Sequence, residues 1–143
     1  MIKPFQYYLK ENLVRKSIPN ISMARALLQK AEIRLSRINL DKVKDEESSI
    51  VFEDIYECIR EAAQSLMEVN GYKPYSHEAV ISFLLEKKYL SYEEINIIDN
   101  YRILRNNSVY KAEKVSLQRC LEALESAKQV IPKLKINLIQ KDH

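Results

Sequence analysis

The chain has 143 residues, which is typical of a single domain, and its 46% hydrophobic and 30% charged residues exclude a disordered protein. One glycine and four prolines cannot supply the frequent turns of a β-rich fold, so the composition favours long helices joined by short loops. The net charge of +3 at pH 7 is only mildly basic, weaker than the excess of dedicated nucleic-acid-binding proteins.

The sequence gives no sign of a secretory signal or a membrane span. Residues 1–4 lead into a polar segment, and no apolar run approaches the roughly 18 residues of a spanning helix. We therefore predict a cytoplasmic protein with no membrane partner. Cys58 and Cys120 each lie in an apolar periodic segment, so we expect buried free thiols rather than a disulfide or a metal site. No metal ligand and no cofactor is predicted.

The first part of the chain predicts two helices. Residues 5–16 form the first, and Pro19 stops it. Asn20 or Ser22 caps the second, which runs to about Asn39. Its apolar residues recur with the helical period and predict its buried side: Ala24, Leu27, Leu28, Ala31, Leu35 and Ile38. Three cationic side chains lie off this stripe and are expected in solvent: Lys30, Arg34 and Arg37.

The third helix should be the central core helix. It follows a charged segment, residues 41–49, which is predicted as a loop. Its apolar positions alternate by three and four residues: Phe52, Ile55, Ile59, Ala62, Leu66 and Val69. The chain's one glycine, Gly71, follows Asn70 and fits a left-handed C-terminal cap. Residues 72–75 are then predicted as a tight connection.

Two capping signals predict the next helices. Ser76 is the expected N-cap of a short helix over residues 78–88, whose apolar face is wide: Val80, Ile81, Phe83, Leu84 and Leu85. Ser91 and Glu94 have the spacing of a capping box, and the helix that they begin continues past Arg105.

A last helix is predicted over residues 111–131, where Pro132 ends or kinks it. Its expected inward side is Val115, Leu117, Leu121, Leu124 and Lys128. The tail, residues 132–143, should dock as a further turn or stay mobile. The fold predicted is therefore all-α, an up-and-down bundle of about five helices in a single domain of residues 1–143, with its core at about 22–131.

The stretch over residues 101–110 is the best candidate for a functional site. It combines two arginines, two adjacent asparagines and two tyrosines, and its Asn-Asn-Ser run has poor helix propensity. The sequence contains no Gly-rich phosphate loop, no His-Glu metal motif and no nucleophile beside a histidine. Of the two histidines, His143 is expected to be disordered, and His77 is expected to have a structural or hydrogen-bonding role.

Helical spacing places Asp99, Arg102, Asn106 and Val109 on one face. Arginine forks there match the oxygens of a phosphodiester, so Arg102 and Arg105 are candidates for binding nucleic acid or a nucleotide. The alternative is a surface ion pair between Asp99 and Arg102 beside solvated asparagines, and the spacing alone favours that alternative.

The segment Arg105-Asn106-Asn107-Ser108-Val109-Tyr110 resembles the motif of HEPN domains, small helical bundles of prokaryotes. That motif is an arginine followed after four to six residues by a histidine, often written as Arg-Asn, a hydrophobic residue and His. A second similarity lies upstream, where residues 62–78 look like the family's core helix, turn and next helix. The resemblance covers roughly residues 22–131. Tyr110 stands where the family has histidine.

The resemblance implies a function as well as a fold. HEPN domains usually form dimers with both motifs facing one cleft, and many are metal-independent ribonucleases that act as toxins. In a common arrangement the partner is a minimal nucleotidyltransferase that acts as antitoxin. Carried over, Arg105 would bind phosphate or stabilise the transition state, Asn106 would orient the substrate or backbone, and Tyr110 would replace the usual general base.

The exchange of histidine for tyrosine weakens the expected catalysis. Histidine has an ordinary pKa of about 6.5 and can exchange protons at neutral pH. Tyrosine has an ordinary pKa of about 10, so as a general base at pH 7 it begins with a penalty of about 4 kcal/mol. Some toxins of this kind also carry a tyrosine two residues further on, which the partner enzyme modifies, and here that position is Ala112.

The geometry of the motif adds a condition. Five residues separate Arg105 from Tyr110, about 140° around a continuous helix. We therefore expect a helix break near Asn107 and Ser108, or a site shared between two chains.

Three hypotheses follow. The first is a dimeric HEPN-type toxin partner with weakened ribonuclease activity. The second is a binding module that holds RNA or a nucleotide without turnover. The third is a helical adaptor whose apolar dimer surface is its whole function.

Overall fold

The computed structural model describes residues 2–142, so the prediction that His143 is disordered lies outside the described residues. The predicted all-α bundle is confirmed, with six helices and one short two-stranded sheet in this range. The elements in chain order are α1 Phe5–Lys10, β1 Val14–Lys16, α2 Ile21–Ser36, α3 Ser48–Val69, β2 Tyr72–Pro74, α4 His77–Lys87, α5 Tyr92–Lys111 and α6 Leu117–Asp142. No helix within residues 2–142 is both long and apolar enough to cross a membrane.

Helix α3 forms the centre of the bundle, as its periodicity predicts. Every apolar position named for it is buried, and α2 and α6 make its most extensive contacts. Cys58 and Cys120 are buried free thiols, also as predicted. The burial of Cys58 raises the pKa of its thiol to about 12, so that it stays protonated at neutral pH.

The prediction of one helix over residues 5–16 is wrong beyond Lys10. Asn12 adopts a left-handed conformation, with φ of 58°, which ends the helix. Residues 14–16 then form β1, which pairs antiparallel with β2, so the predicted connection at 72–75 is in fact a strand. Val14 lies opposite Pro74 in this sheet. Phe5, Tyr8 and Val14 are buried, so the core extends well before residue 22.

Helix α2 begins as predicted but ends earlier. The side chain of Asn20 accepts a hydrogen bond from the Met23 amide at 3.0 Å, which identifies Asn20 as the cap. The helix ends at Ser36 rather than at about Asn39. The charged segment that follows contains two 3-10 turns, Leu40–Lys42 and Asp45–Glu47, before α3 begins at Ser48.

Two of the three cations expected in solvent have a structural partner. Arg34 Nε donates to Glu61 Oε1 at 2.9 Å, and Lys30 Nζ lies 3.4 Å from Glu61 Oε2. The carboxylate of Glu61 is almost fully buried beneath α2, and a buried charge of this kind needs compensating partners. Arg37 is exposed, as predicted.

The predicted caps around α3, α4 and α5 are confirmed. Gly71 follows α3 in the left-handed region, with φ of 82°. Ser76 accepts a hydrogen bond from Ala79 at the start of α4. Ser91 and Glu94 bond to each other's backbone amides at 3.1 and 2.9 Å, the reciprocal pattern of a capping box.

The last helix differs from the prediction in extent and orientation. It begins at Leu117, passes through Pro132 and reaches Asp142, so residues 132–142 continue the last helix and do not form a separate turn. Pro132 removes the helical donor of the Lys128 carbonyl, and Lys128 is a solvent-exposed residue. Leu121 and Lys128, which were expected to face inward, are both exposed. The buried side is Cys120, Ala123, Leu124, Ala127, Val130, Ile131, Leu134 and Leu138.

Candidate functional site

The expected break in α5 does not occur. The helix continues through Asn106, Asn107 and Ser108 to Lys111, and Ala112 ends it in a left-handed conformation. Ser108 Oγ donates to Glu53 Oε2 on α3 at 2.8 Å, and Asn106 Oδ1 accepts from Arg105 Nη1 at 3.1 Å. Because these side chains bond to other side chains, they do not compete for the backbone bonds of the helix.

Arg105 and Tyr110 contact each other despite the continuous helix. The guanidinium carbon of Arg105 lies 6.0 Å from the centroid of the Tyr110 ring, within the range of a cation–π interaction. The Tyr110 side chain is otherwise open to solvent, with 75% of its surface exposed. The two side chains are therefore long enough to meet although they leave α5 in different directions.

Arg102 is held in a different environment. Its Nε donates to Asp99 Oδ1 at 2.7 Å, and its Nη1 lies 3.6 Å from Glu78 Oε1 on α4. The ion pair with Asp99 is therefore present, but Arg102 is buried rather than on the surface. Two carboxylates compensate this guanidinium. Its role in binding nucleic acid stays a prediction.

Arg60 on α3 is a third arginine of this region, and it is also compensated. Its guanidinium bonds twice to Glu57, with the Nε to Oε2 distance at 2.9 Å, and Nη1 donates to Gln64 at 2.6 Å. Bidentate pairing of this kind is the strongest arginine–carboxylate geometry. By contrast, Arg105 has no carboxylate within 4.0 Å among residues 2–142.

His77 brings a histidine to this region from α4. Its ring stacks on Tyr56 of α3 with centroids 5.7 Å apart and an interplanar angle of 15°, and its Nδ1 lies 3.1 Å from Tyr56 Oη. The hydrogen bond expected of His77 is thus present at Nδ1. Burial, followed by the positive charges of Arg105 and Arg60, lowers the pKa of His77. Burial raises the pKa of Tyr56 to about 12, although the nearby arginines oppose this shift.

We refer to five residues as the Arg105 cluster: Tyr56, His77, Arg105, Asn106 and Tyr110. Three elements build it, since α3 supplies Tyr56, α4 supplies His77 and α5 supplies the other three. The cluster combines an uncompensated guanidinium with a neutral imidazole, an amide and two phenols. Such groups can bind an anion and hydrogen-bond to its oxygens.

Sequence reasoning found the α5 members of the cluster and did not assign the other two. Tyr56 lies on a helix that was interpreted only as core. One signal was available, because α3 carries a polar stripe at helical spacing beside its apolar one: Glu53, Glu57, Arg60 and Gln64. Polar side chains of α4 and α5 lie on this side of α3, since Ser108 bonds to Glu53 and His77 lies near Glu57 and Arg60.

A larger concavity than the one beside His77 lies elsewhere. A groove of about 760 Å³ runs between α5 and α6 and is lined by exposed apolar residues, including Ile97, Ile103 and Leu121. A small cleft of about 160 Å³ lies beside His77 and Arg60. We give more weight to the cluster than to the groove, because the charged side chains of the groove are Arg119, Glu122 and Glu125, of which the first two pair with each other, and no histidine among residues 2–142 lines it. No group of three or more potential metal-ligating side chains occurs within the described residues.

A comparison of the chain with protein-family models gave no match, and a comparison with curated proteins gave none either.

Proposed function

We propose that this protein is an HEPN-type domain whose Arg105 cluster binds the phosphodiester backbone of RNA and cleaves it without a metal ion. The observation that carries the proposal is the state of Arg105, which has no carboxylate partner within residues 2–142, whereas Arg60 and Arg102 are both compensated. A guanidinium held by an amide and an aromatic ring, with its charge uncompensated, is suited to phosphate oxygens.

Each α5 residue of the motif has a part in this proposal. Arg105 binds the phosphate and stabilises the charge that develops on it during cleavage. Asn106 fixes the guanidinium through the hydrogen bond at 3.1 Å. Tyr110 supports the guanidinium with its ring and donates a hydrogen bond from its exposed hydroxyl to the RNA.

The assembly is part of the proposal and rests on the resemblance. The protein is proposed to be a homodimer and to act as the toxin partner of a minimal nucleotidyltransferase. The exposed apolar groove on α5 and α6 supports an association through this side of the molecule, since contiguous apolar surface is unfavourable in water.

The test is an assay of single-stranded RNA cleavage in EDTA with wild type, Arg105→Ala and Arg37→Ala. Arg37 is the matched control, since it is an exposed arginine just past the end of α2 and does not line the groove between α5 and α6. Losing one charged hydrogen-bonding partner of the phosphate should weaken RNA binding about ten- to hundredfold in Arg105→Ala. Arg37→Ala should bind and cleave like the wild type. The wild type should also have the mass of a dimer in solution.

Equal cleavage by wild type and Arg105→Ala would show that the site is wrong. If the wild type binds RNA at low salt, releases it at high salt and leaves it intact, the second candidate holds instead. That candidate is a binding module without turnover, and the exposed Tyr110 at the position of the motif's histidine favours it.

A further inference from the structure

His77 is the one histidine that the structure brings to the Arg105 cluster. Two contacts with Tyr56 fix its ring, the parallel stack and the hydrogen bond at Nδ1. Among residues 2–142, the other ring nitrogen, Nε2, has no hydrogen-bond partner, while the residue borders the cleft beside Arg60. One nitrogen is thus held by the protein and the other is left for a ligand.

The surroundings of His77 keep its ring neutral at pH 7. Burial is the largest cause that lowers the pKa of its imidazole, and Arg105, Arg60 and Arg102 act in the same direction. Glu57 opposes them. Tyr56 contacts the ring, and the charged groups that act on it lie on two helices: Glu57 and Arg60 on α3, and Arg102 and Arg105 on α5. A neutral imidazole beside a cationic phosphate-binding group can accept a proton.

We propose that His77 is the catalytic base of this site, acting from α4 in place of the histidine that position 110 lacks. The inference rests on the proposed ribonuclease function. In the attack step, Nε2 removes the proton from a ribose 2′-hydroxyl while O2′ bonds to the phosphorus. The P–O5′ bond breaks, and O5′ takes a proton from water. The imidazolium then returns its proton to the hydroxide that remains, which leaves a 2′,3′-cyclic phosphate and a 5′-hydroxyl.

Tyr56 is the positioning residue in this scheme. A free lone pair on Nε2 requires that the proton of the neutral ring reside on Nδ1, which then donates to Tyr56 Oη across the 3.1 Å contact. The high pKa of Tyr56, about 12, keeps its hydroxyl neutral, so it orients the ring without taking part in proton transfer.

The first experiment measures RNA cleavage by His77→Gln, Tyr56→Phe and the control His143→Gln, which removes the chain's other histidine. We expect kcat to fall about 10²- to 10⁴-fold in His77→Gln, with RNA affinity unchanged within a few fold and with the acidic limb of the pH–rate profile lost. Added imidazole should partly restore cleavage by His77→Gly. Tyr56→Phe should lower kcat with little change in KM, and His143→Gln should behave like the wild type.

The outcomes separate this inference from the function on which it rests. Cleavage by the wild type that persists undiminished in His77→Gln overturns the role of His77 and leaves the Arg105 site intact. If the wild type cleaves no RNA, both fail.

A second measurement needs no variant to retain activity. The nitrogen NMR shifts of the wild type report which ring nitrogen carries the proton, and the spectrum of His77→Gln or His143→Gln assigns the two histidines. We expect neutral His77 to carry its proton on Nδ1 at pH 7. A proton on Nε2 would leave no lone pair facing the substrate and would overturn the assignment of His77 as base.

Discussion

Three arginines near the candidate site differ in what surrounds them. Arg60 and Arg102 each bond to a carboxylate three residues earlier on the same helix, Glu57 and Asp99. Sequence spacing can find such pairs, since i, i+3 residues are neighbours on a helix. It cannot find Glu78, which reaches Arg102 from α4, nor establish that no carboxylate reaches Arg105 within the described residues. The identification of Arg105 as the available cation therefore needed the folded structure.

The same reasoning applies to the cations of α2 and gives a prediction of stability. Replacing Arg34 by alanine leaves the buried carboxylate of Glu61 with only Lys30, whose Nζ lies 3.4 Å away and whose side chain is largely exposed. We expect the free energy of unfolding to fall by about 1–3 kcal/mol, the cost of an incompletely compensated buried group. Urea-induced unfolding followed by circular dichroism measures this change.

Arg37→Ala is the matched control, because Arg37 lies three residues after Arg34, just past the end of α2, and is exposed. Its change in the free energy of unfolding should stay within about 0.5 kcal/mol. Equal effects of the two substitutions would show that the contact with Glu61 contributes nothing to stability.

At the scale of elements, the sequence predicts those helices whose signals are local. The apolar period of α3, the capping box of α5 and the glycine after α3 all depend on residues within a few positions of one another. The errors occur where a segment's secondary structure depends on a contact with residues far away in the sequence. Residues 14–16 form a strand because Tyr72–Pro74 pairs with them, and no local pattern contains that information.

The continuity of α5 has the same explanation. Poor helix propensity at Asn106–Ser108 predicted a break, but the bond from Ser108 to Glu53 on α3 anchors this turn. Tertiary contacts of this kind outweigh differences in propensity, which amount to less than about 1 kcal/mol per residue.

The turn after α3 offers a test at this scale. In Gly71→Ala, the new Cβ would lie 2.7 Å from the backbone oxygen of Ser17, and the residue would keep a φ of 82°. Left-handed strain alone costs about 1–2 kcal/mol, and the clash with a backbone atom adds to it. We expect a loss of at least about 2 kcal/mol in the free energy of unfolding, measured by denaturant titration.

Lys88→Gly is a control of opposite sign, because Lys88 is an exposed residue that already adopts a left-handed conformation, with φ of 57°. Glycine there should be neutral or should stabilise the protein by up to about 1 kcal/mol. A Gly71→Ala variant as stable as the wild type would show that this turn adjusts without cost.

At the scale of the whole molecule, the site depends on how the bundle brings three helices together. Sequence reasoning named Arg105, Asn106 and Tyr110, which share one helix. It left Tyr56 and His77 without a role at the site, because their meeting depends on the packing of α3 against α4. Helix α6 packs along α3, and its C-terminal half forms ion pairs with two other helices, from Lys133 to Glu94 of α5 and from Lys135 to Glu32 of α2.

The C-terminal half of α6 should therefore contribute to the stability of the entire bundle. Leu134 is fully buried, whereas Ile136, two residues further on, is 57% exposed. We expect Leu134→Ala to lower the free energy of unfolding by about 2–5 kcal/mol, because it removes buried methyl groups and leaves a cavity. Ile136→Ala should change it by no more than about 0.5 kcal/mol. Urea unfolding of both variants tests this contrast, and similar small effects would mean that residues beyond Pro132 do not dock on the bundle in solution.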